Sequence, residues 1–475
     1  MSGGMFFFLC IALLVVGYIA YGAFVDKVFG PDDRPTPAKS MADGVDFVEL
    51  PAWKIFLIQL LNIAGLGPVF GPILGALYGP AALLWVVFGC IFAGAVHDYF
   101  SGMISLRSKG ASVPDIVGEN LGKVARQFMI YFSILVLVLV GVVFVNGPAG
   151  LLSKLSGIST LTWVVIIFAY YFLATIMPID VIIGRIYPIF AAILLFMAVS
   201  LPIALFAKGY AVLPNLDFAT NTHTTLPLWP MVFITIACGA ISGFHATQSP
   251  MMARCMGSER LGRKVFYGAM IAEGAIAVVW CTLGLSFYES AEGLRNALGS
   301  GGNAALVVSE VSNTLLGAGF GGTLAILGVV VLPITSGDTA FRSARLTIAD
   351  IFKTKQHTIA SRLMIATPLF LIGGVLSQVN FNIIWRYFGW ANQTLAMFIL
   401  WTAAVYLARR GKFHWICSLP ATFMTAVCMS YLCFDKIGFG LPLSTANMIG
   451  VGSAVAAFVF FMVKGSSKSS AKLDN

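Results

Sequence analysis

Hydrophobic runs of membrane-spanning length recur along the whole chain. A helix needs about 20 consecutive apolar residues to cross roughly 30 Å of hydrocarbon, and about 13 such runs can be placed here. They lie near residues 5–24, 54–78, 80–106, 127–149, 160–178, 184–207, 229–250, 265–288, 319–341, 363–378, 384–408, 413–434 and 446–463. The pattern therefore predicts about 13 transmembrane helices, numbered here as spans 1 to 13.

Two of these runs are interrupted by glycine, proline and polar residues. Span 2 contains NIAGLGPVFGP at residues 62–72, and span 7 contains CGAISGFHATQSP at residues 238–250. A helix break frees backbone groups that hydrocarbon cannot satisfy, so it is tolerated only where it lines a buried or watery cavity. We therefore predict unwound backbone near 65–71 and 242–248, facing one cavity that binds the substrate of a transporter.

The distribution of Lys and Arg predicts how the chain is oriented. If the N-terminus lies outside, 24 of the 29 basic residues fall on the cytoplasmic side, as the positive-inside rule requires. The exceptions are Lys154, Lys208, Arg295, Arg386 and Lys436. The C-terminus is then cytoplasmic, and the net charge of +9 reflects the cytoplasmic leaflet without a nucleic-acid partner.

In this orientation spans 2 and 7 run in opposite directions. Spans 2–6 and 7–11 then form two five-helix units of inverted topology, the arrangement of a 5+5 inverted-repeat transporter. The predicted organisation is a first helix with a cytoplasmic loop at 1–53, the two repeats at 54–207 and 208–408, two helices at 409–463, and a disordered cytoplasmic tail at 464–475.

Composition excludes several other classes of protein. With 59% hydrophobic residues, 10% charged residues and a mean hydropathy of +0.90, the chain is a polytopic membrane protein. Its eight cysteines are isolated in apolar segments, and no glycine-rich phosphate loop or histidine-rich cluster occurs. We therefore expect neither an enzyme nor an ATP-driven pump, and no cofactor or metal. A channel is disfavoured because the breaks are asymmetric within a single chain.

The broken segments supply the candidate substrate-binding residues. These are Ala64, Gly65, Gly67, Ser242, Gly243, His245 and Gln248. Prolines and glycines in span 2 are expected to expose helix N-termini, whose free amides suit a substrate carboxylate. Close packing of small residues between helices is the alternative.

Ionisable side chains inside a span are costly and therefore candidates for function. Four are predicted to couple transport to protons: His97 and Asp98 in span 3, Glu273 in span 8 and Asp338 in span 9. A structural ion pair of Asp98 or Asp338 with Arg342 or Arg345 is the alternative. Glu273 has no basic neighbour within a turn of its own span, so it is the better proton candidate. The hydroxyls of Thr335 and Ser336 form a candidate sodium site. Most aromatic and amide groups of span 11 are interpreted as packing or interfacial groups: Trp385, Trp390, Asn392 and Gln393.

Several short blocks resemble the carbon starvation protein A (CstA) family of bacterial inner-membrane transporters. They are TPA at 36–38, DGVD at 43–46, IAGLGP at 63–68 with GP at 71–72, GAVHD at 94–98, Arg107 with KG at 109–110, ACGAISGFH at 237–245, Thr335 with DTA at 338–340, and ANQ at 391–393. They recur in order over some 350 residues, so together they are a specific signal. Two departures matter: larger members are considerably longer, and many carry a histidine pair where this chain has Ile58 and Gln59.

The resemblance implies an all-α membrane protein with a LeuT-like core. It also implies import of small carboxylate nutrients, either pyruvate or short peptides and amino acids, by proton symport during carbon starvation. The expected partners are the substrate, a proton or sodium ion, and membrane lipids. A sodium-coupled amino acid or peptide symporter and a nutrient sensor without transport are the alternatives.

Overall fold

The computed structural model describes residues 2–44, 47–176, 179–299, 303–354, 356 and 358–465. Within these residues the chain forms connecting loops, a four-residue helix at Pro37–Ser40 and eighteen longer helices. The helices are α1 (Gly3–Phe29), α2 (Ala52–Ile63), α3 (Gly67–Tyr78), α4 (Ala81–Arg107), α5 (Val113–Leu121), α6 (Lys123–Ser156), α7 (Thr160–Ile176), α8 (Ile179–Ala207), α9 (Leu228–Thr235), α10 (Gly243–Ala253), α11 (Glu259–Ser286), α12 (Ala291–Leu298), α13 (Ala304–Leu316), α14 (Phe320–Ile351), α15 (Ile359–Leu376), α16 (Phe381–Arg409), α17 (Trp415–Phe434) and α18 (Leu443–Gly465). Most of the predicted tail, from residue 466 onward, lies outside the described residues.

The helices correspond to the predicted spans. In the described part of the chain ten helices are long and apolar enough to cross a membrane, and the bent pair α2 and α3 makes eleven. Two predicted spans fail that length test: α7 has 17 residues, and span 7 is divided between α9 and α10. With these two included, the order of helices agrees with the 13 predicted spans.

Span 2 is broken as predicted, but over fewer residues. The helix stops at Ile63 and resumes at Gly67, with a bend of 48° between α2 and α3. Pro68 is the second residue of α3, where its missing amide hydrogen costs no hydrogen bond, so this proline begins the new helix. The prediction of unwound backbone over 65–71 is therefore wrong for residues 67–71.

Span 7 has a longer break, displaced toward its N-terminal half. α9 ends at Thr235, and residues 236–242 are not helical; Gly239 there has a φ of +87°, which glycine adopts readily. The backbone of Ser242 is extended, and α10 begins at Gly243. Unwound backbone was predicted over 242–248, but only Ser242 of that range lies outside a helix.

The helices pack into two groups. The first, called the break group, contains α2, α3, α4, α10 and α11, and the second, called the support group, contains α6, α7, α14 and α15. Glycines allow close contact within the break group: Gly94 of α4 lies against the backbone of Ala240, and Gly274 of α11 lies against Cys90. The two breaks are thereby held among helices of a single group.

One end of the bundle is covered by structure that hydropathy did not predict. Two short helices, α12 and α13, connect α11 to α14, and the segment 208–227 lies beside the ends of α3 and α11. Thr222 Oγ1 donates a hydrogen bond to the carbonyl of Leu77 (2.8 Å), and the rings of His223 and Tyr78 are 4.7 Å apart. Neither short helix is long enough to span a bilayer, so a search for 20-residue apolar runs passes over both.

Candidate functional site

A buried histidine joins two carboxylates from different helices. His245 is the third residue of α10, and its Nδ1 lies 2.9 Å from Asp98 Oδ2 of α4. On its other edge, Nε2 lies 3.4 Å from Glu273 Oε2 of α11, an ion-pair distance without hydrogen-bond geometry. All three side chains are 0% exposed. Three predicted site residues from spans 3, 7 and 8 therefore meet in one place.

His97 extends this group by one residue. Its Nδ1 lies 2.8 Å from Asp98 Oδ1, so the two oxygens of Asp98 each face one imidazole. His97 Nε2 has no hydrogen-bond partner among the described residues, and the backbone of Gly239 approaches Glu273 outside strict hydrogen-bond geometry. We call Asp98, His97, His245 and Glu273 the charged cluster. Buried groups with unused hydrogen-bonding capacity are unusual in proteins and indicate a functional site.

The surroundings of the charged cluster position it beside the break in span 7. Ser101 Oγ donates to the carbonyl of Asp98 (3.0 Å) and also contacts Ser249 Oγ (3.0 Å), which ties α4 to α10. The N-terminal part of α4 is a π-helical stretch from Trp85 to Gly94, just before His97. π-helical stretches are rare in proteins, and those that occur are often found at functional sites.

Three of the neighbouring residues have the spacing of metal ligands. Cys238, His245 and Glu273 each offer one ligand atom, and these atoms lie within 4.8 Å of one another. Cys238 Sγ also lies 3.4 Å from Ser242 Oγ, so the contacts made by this group in the structure are hydrogen bonds and ion pairs. We therefore describe these side chains as a hydrogen-bonded and charged group.

The N-terminus of α10, expected to meet a substrate carboxylate, is capped by Asn392. This side chain comes from α16; its Oδ1 accepts the backbone N–H of Phe244 (2.7 Å), and its Nδ2 donates to Ser242 Oγ (3.0 Å). Gly243 lies against the backbone of Asn392, with no room for a side chain. Asn392 was interpreted as packing, although it lies in the block ANQ at 391–393, and that block was the only signal for its role.

The remaining candidate substrate residues lie in the two breaks or in the helices that follow them. Ala64 and Gly65 lie in the short break of span 2, and a side chain at Gly65 would overlap Phe144. Gly67 packs directly against Cys238, so the two breaks touch each other. Gln248 Nε2 donates to Thr247 Oγ1 (2.9 Å), while its Oε1 has no partner among the described residues.

The candidate sodium residues lie elsewhere, between the two helix groups. Ser336 Oγ of α14 donates to the carbonyl of Leu61 (2.9 Å), and Thr335 Oγ1 approaches the same carbonyl (3.4 Å). Leu61 is near the end of α2, just before the break. Two hydroxyls and a carbonyl at a broken helix are the ligand types of a sodium site in transporters.

Asp338 forms the ion pair that was considered as an alternative. Its Oδ1 lies 3.8 Å from Arg342 Nη2, one turn along α14, and Arg342 also donates to the carbonyl of Ala174 (2.8 Å). These contacts belong to the support group. The structure therefore separates Asp338 from the three other residues predicted to carry protons.

An ion-pair network at the other end of α4 was not predicted. Arg107 donates to both oxygens of Glu259 (3.0 and 2.8 Å) and to the carbonyl of Gly30 (2.8 Å), and Glu259 also accepts the N–H of Asp32 (3.0 Å). Hydrogen bonds from Arg34 hold the pKa of Asp32 well below its ordinary value. The network connects the loop after α1 to the break group. In the sequence, Arg107 is distinguished only by its place in one of the blocks that resemble the CstA family.

The sequence profile described as "Carbon starvation protein CstA" matches residues 2–154, 148–289 and 288–431. The chain belongs to this family. An uncharacterized membrane protein of Haemophilus influenzae is 44% identical over 351 residues, which cover 62% of this chain and 95% of that protein. The CstA family assignment predicted from short blocks is therefore confirmed.

Two relatives with functional names are transporters. The peptide transporter CstA of Bacillus subtilis is 26% identical, covering 87% of each chain. The pyruvate/proton symporter BtsT of Escherichia coli is 28% identical over 57% of this chain and 47% of the symporter. A crystal structure of MhsT in complex with L-phenylalanine superposes with a TM-score of 0.56 at 16% identity, covering 86% of this chain and 98% of that one. The LeuT-like fold of a multi-pass membrane protein is thus confirmed.

Proposed function

We propose that this CstA-family protein is a proton-coupled secondary transporter that imports small carboxylate nutrients. The observation that carries the proposal is the charged cluster, where Asp98, His245 and Glu273 meet without solvent exposure beside two touching helix breaks. Intramembrane titratable groups of this kind are typical of proton relays in transporters. Broken helices at the same depth are typical of their substrate sites.

The relatives support this proposal and narrow the substrates. One named relative transports peptides and another carries pyruvate together with protons, so pyruvate and short peptides or amino acids are the substrates to test. Both kinds of molecule carry a carboxylate. We further propose that the protein lies in the bacterial inner membrane with the N-terminus outside and the C-terminus cytoplasmic. The proposed orientation rests on the distribution of Lys and Arg. A role in carbon starvation follows from the family.

Each predicted residue has a proposed part in this mechanism. Asp98, Glu273 and His97 belong to the group that couples transport to protons, and Asp338 is a more distant candidate because it is paired with Arg342. The substrate contacts the backbone and small residues at the two breaks together with three polar side chains. These residues are Ala64, Gly65, Gly67, Ser242, Gly243, His245 and Gln248.

Purified protein in liposomes provides the test. Uptake of labelled pyruvate, alanine and dialanine is measured under an imposed proton gradient and, separately, a sodium gradient. We expect the proton gradient to drive accumulation. Glu273→Gln should still exchange internal for external substrate but should not accumulate it, because an amide cannot release a proton. Concentrative, proton-driven uptake by Glu273→Gln would remove this residue from the mechanism.

A sodium-coupled symporter is the second candidate function. The observation in its favour is the convergence of Ser336 and Thr335 on the carbonyl of Leu61. If sodium drives uptake, replacing both hydroxyl residues with alanine should abolish stimulation by sodium, whereas Glu273→Gln should leave it intact. If neither gradient moves any of the three substrates but the protein binds one of them, the chain is a nutrient sensor.

A further inference from the structure

We infer that a substrate carboxylate binds only after one extra proton has been added to the pair His245 and Glu273. This inference rests on the proposed function and specifies the order of events at the site. It follows from how the four ionisable side chains of the charged cluster share hydrogen bonds and charge.

Both ring nitrogens of His245 face carboxylates. Nδ1 lies 2.9 Å from Asp98 Oδ2, and Nε2 lies 3.4 Å from Glu273 Oε2. An imidazole that hydrogen-bonds one ionised carboxylate and lies at ion-pair distance from a second is stabilised as a cation. His97 differs: only Nδ1 faces a carboxylate, and Nε2 has no partner among the described residues. A second charge on His97 would lack a partner, so His97 is neutral.

The charges of the four side chains in the charged cluster do not cancel. With Asp98 and Glu273 ionised, His245 positive and His97 neutral, the charged cluster carries one net negative charge. Adding one proton to the pair His245 and Glu273 makes it neutral. The other titratable side chains nearby are Cys238 and Cys90, and both are hydrogen-bonded thiols: Cys238 donates to Ser242, and Cys90 donates to the carbonyl of Met270. The buried polar residues of α2 are the amides Gln59 and Asn62, and Asn392 of α16, which bonds Ser242 and Phe244, is also an amide, so none of the three carries a charge.

The net charge of the cluster determines whether a carboxylate can bind nearby. A net charge in a site with 0% exposure is poorly compensated by solvent, so it acts strongly on a second charge nearby. His245 is the third residue of α10 and directly follows the break that is proposed to hold the substrate. A carboxylate would be repelled there by the unprotonated cluster and accepted by the neutral one. Proton binding therefore precedes anion binding, which couples the two fluxes.

The experiment measures equilibrium binding of pyruvate to the purified full chain in nanodiscs, without any gradient, over a series of pH values. Because one proton is linked to one anion, the wild-type affinity should fall about tenfold for each pH unit on the alkaline side. Glu273→Gln mimics the protonated carboxyl group, so its affinity should be high and independent of pH. Glu310→Gln, the same change at an exposed residue, should keep the wild-type pH dependence.

A second measurement does not depend on any variant. In weakly buffered solution, adding pyruvate to the wild-type protein at alkaline pH should take up about one proton per bound anion. Dialanine serves as the probe if pyruvate does not bind, since it also carries a carboxylate. An unchanged pH dependence in Glu273→Gln, or substrate binding by wild type without proton uptake, would overturn the inference. If His97→Gln abolished the pH dependence and Glu273→Gln did not, the proton would reside on His97 instead.

The two proposals fail in different ways. If a proton gradient does not drive uptake by the wild-type protein, the proposed function itself is wrong. If it does drive uptake but binding does not depend on pH in the manner described, only the order of proton and substrate is wrong. Loss of all binding in a well-folded Glu273→Gln protein would show that Glu273 contacts the substrate, which also contradicts the inference.

Discussion

The charged cluster and the contact of Thr335 and Ser336 with Leu61 are two candidate ion sites in different parts of the fold. The cluster lies inside the break group, with its members on α4, α10 and α11. The hydroxyls of Thr335 and Ser336 reach from the support group to Leu61 of the break group. In transporters of this architecture, access alternates because one helix group moves against the other. The cluster should therefore survive the movement intact, whereas the hydroxyl contact should form and break.

The two sites also differ in chemistry. The cluster offers four ionisable side chains and several unused hydrogen-bonding atoms, and its state changes when a proton is added or removed. The hydroxyls carry no charge, and Thr335 Oγ1 also lies 2.8 Å from the carbonyl of Leu332 in its own helix. Such bonds to the preceding turn are ordinary for threonine in a helix. We therefore expect proton coupling to depend on the charged cluster. The hydroxyls of Thr335 and Ser336 should affect only the packing between the break group and the support group.

The largest effect is expected for Asp98→Asn. Asp98 accepts from both His97 and His245, and removing one partner of a buried charged set typically costs about 3–5 kcal/mol. We expect loss of uptake and a marked fall in thermal stability in detergent. Asp338→Asn is the matched control from the support group, because Arg342 keeps its bond to Ala174. If Asp338→Asn were the more damaging to proton-driven uptake, the assignment of coupling to the break group would be wrong.

The next effect is expected for Gly67→Ala. A methyl group at this position would overlap Cys238 and push the two breaks apart, and such overpacking typically costs about 1–3 kcal/mol. We expect membrane insertion to persist and uptake to be lost, because both breaks belong to one packed group. Gly374→Ala in α15 is the control, since nothing lies within 4 Å of the added methyl group. Wild-type uptake by Gly67→Ala would show that the contact between the breaks is dispensable.

A smaller effect is expected from replacing Thr335 and Ser336 together by alanine. Each change removes a hydrogen bond of about 1 kcal/mol, and Leu61 loses donors without any charge being exposed. Under a proton gradient, accumulation should persist with a rate reduced by no more than about tenfold, which corresponds to about 1.4 kcal/mol. Measured dependence on sodium that disappears in this double variant would move the coupling site from the break group to the interface between groups.

The smallest effect is expected outside both sites, at His223. Burial, and secondarily the charge of Arg295, lower the pKa of His223, and its Nδ1 accepts the N–H of Leu226 (3.1 Å). The neutral ring therefore stabilises segment 208–227 above the ordinary histidine pKa, and this contribution of about 1 kcal/mol or less is lost as the pH falls through the lowered pKa. Hydrogen exchange of 208–227 should accelerate on acidification.

The control for His223 is a Gln variant, which should remove most of the pH dependence of that exchange and leave proton-driven uptake unchanged. Altered coupling in His223→Gln would mean that the covering segment and the charged cluster form one system. The comparison between the two ion sites would then be incomplete.

The number and order of the spans could be predicted from the sequence, because each span requires about 20 apolar residues and this requirement is local. The sequence also located both breaks to within a few residues, since proline and glycine act on the backbone where they occur. The exact unwound residues were misplaced because Pro68 lies in the first turn of a helix and Gly243 begins one, and whether such a residue ends one helix or begins the next depends on its tertiary contacts.

Which side chains meet could not be predicted, because it depends on how the helices pack. Glu273 has no basic neighbour in its own span, and its partner His245 lies on a separate helix beyond the loop that precedes α11. Asn392 caps a helix that begins 149 residues earlier in the chain, and its amide has no local feature that distinguishes it from a packing residue. Hydropathy sums over neighbours along the chain, whereas a hydrogen bond depends on distance in space. The number of spans and the positions of the breaks can therefore be predicted from the sequence, whereas the charged cluster can be identified only from the packed helices.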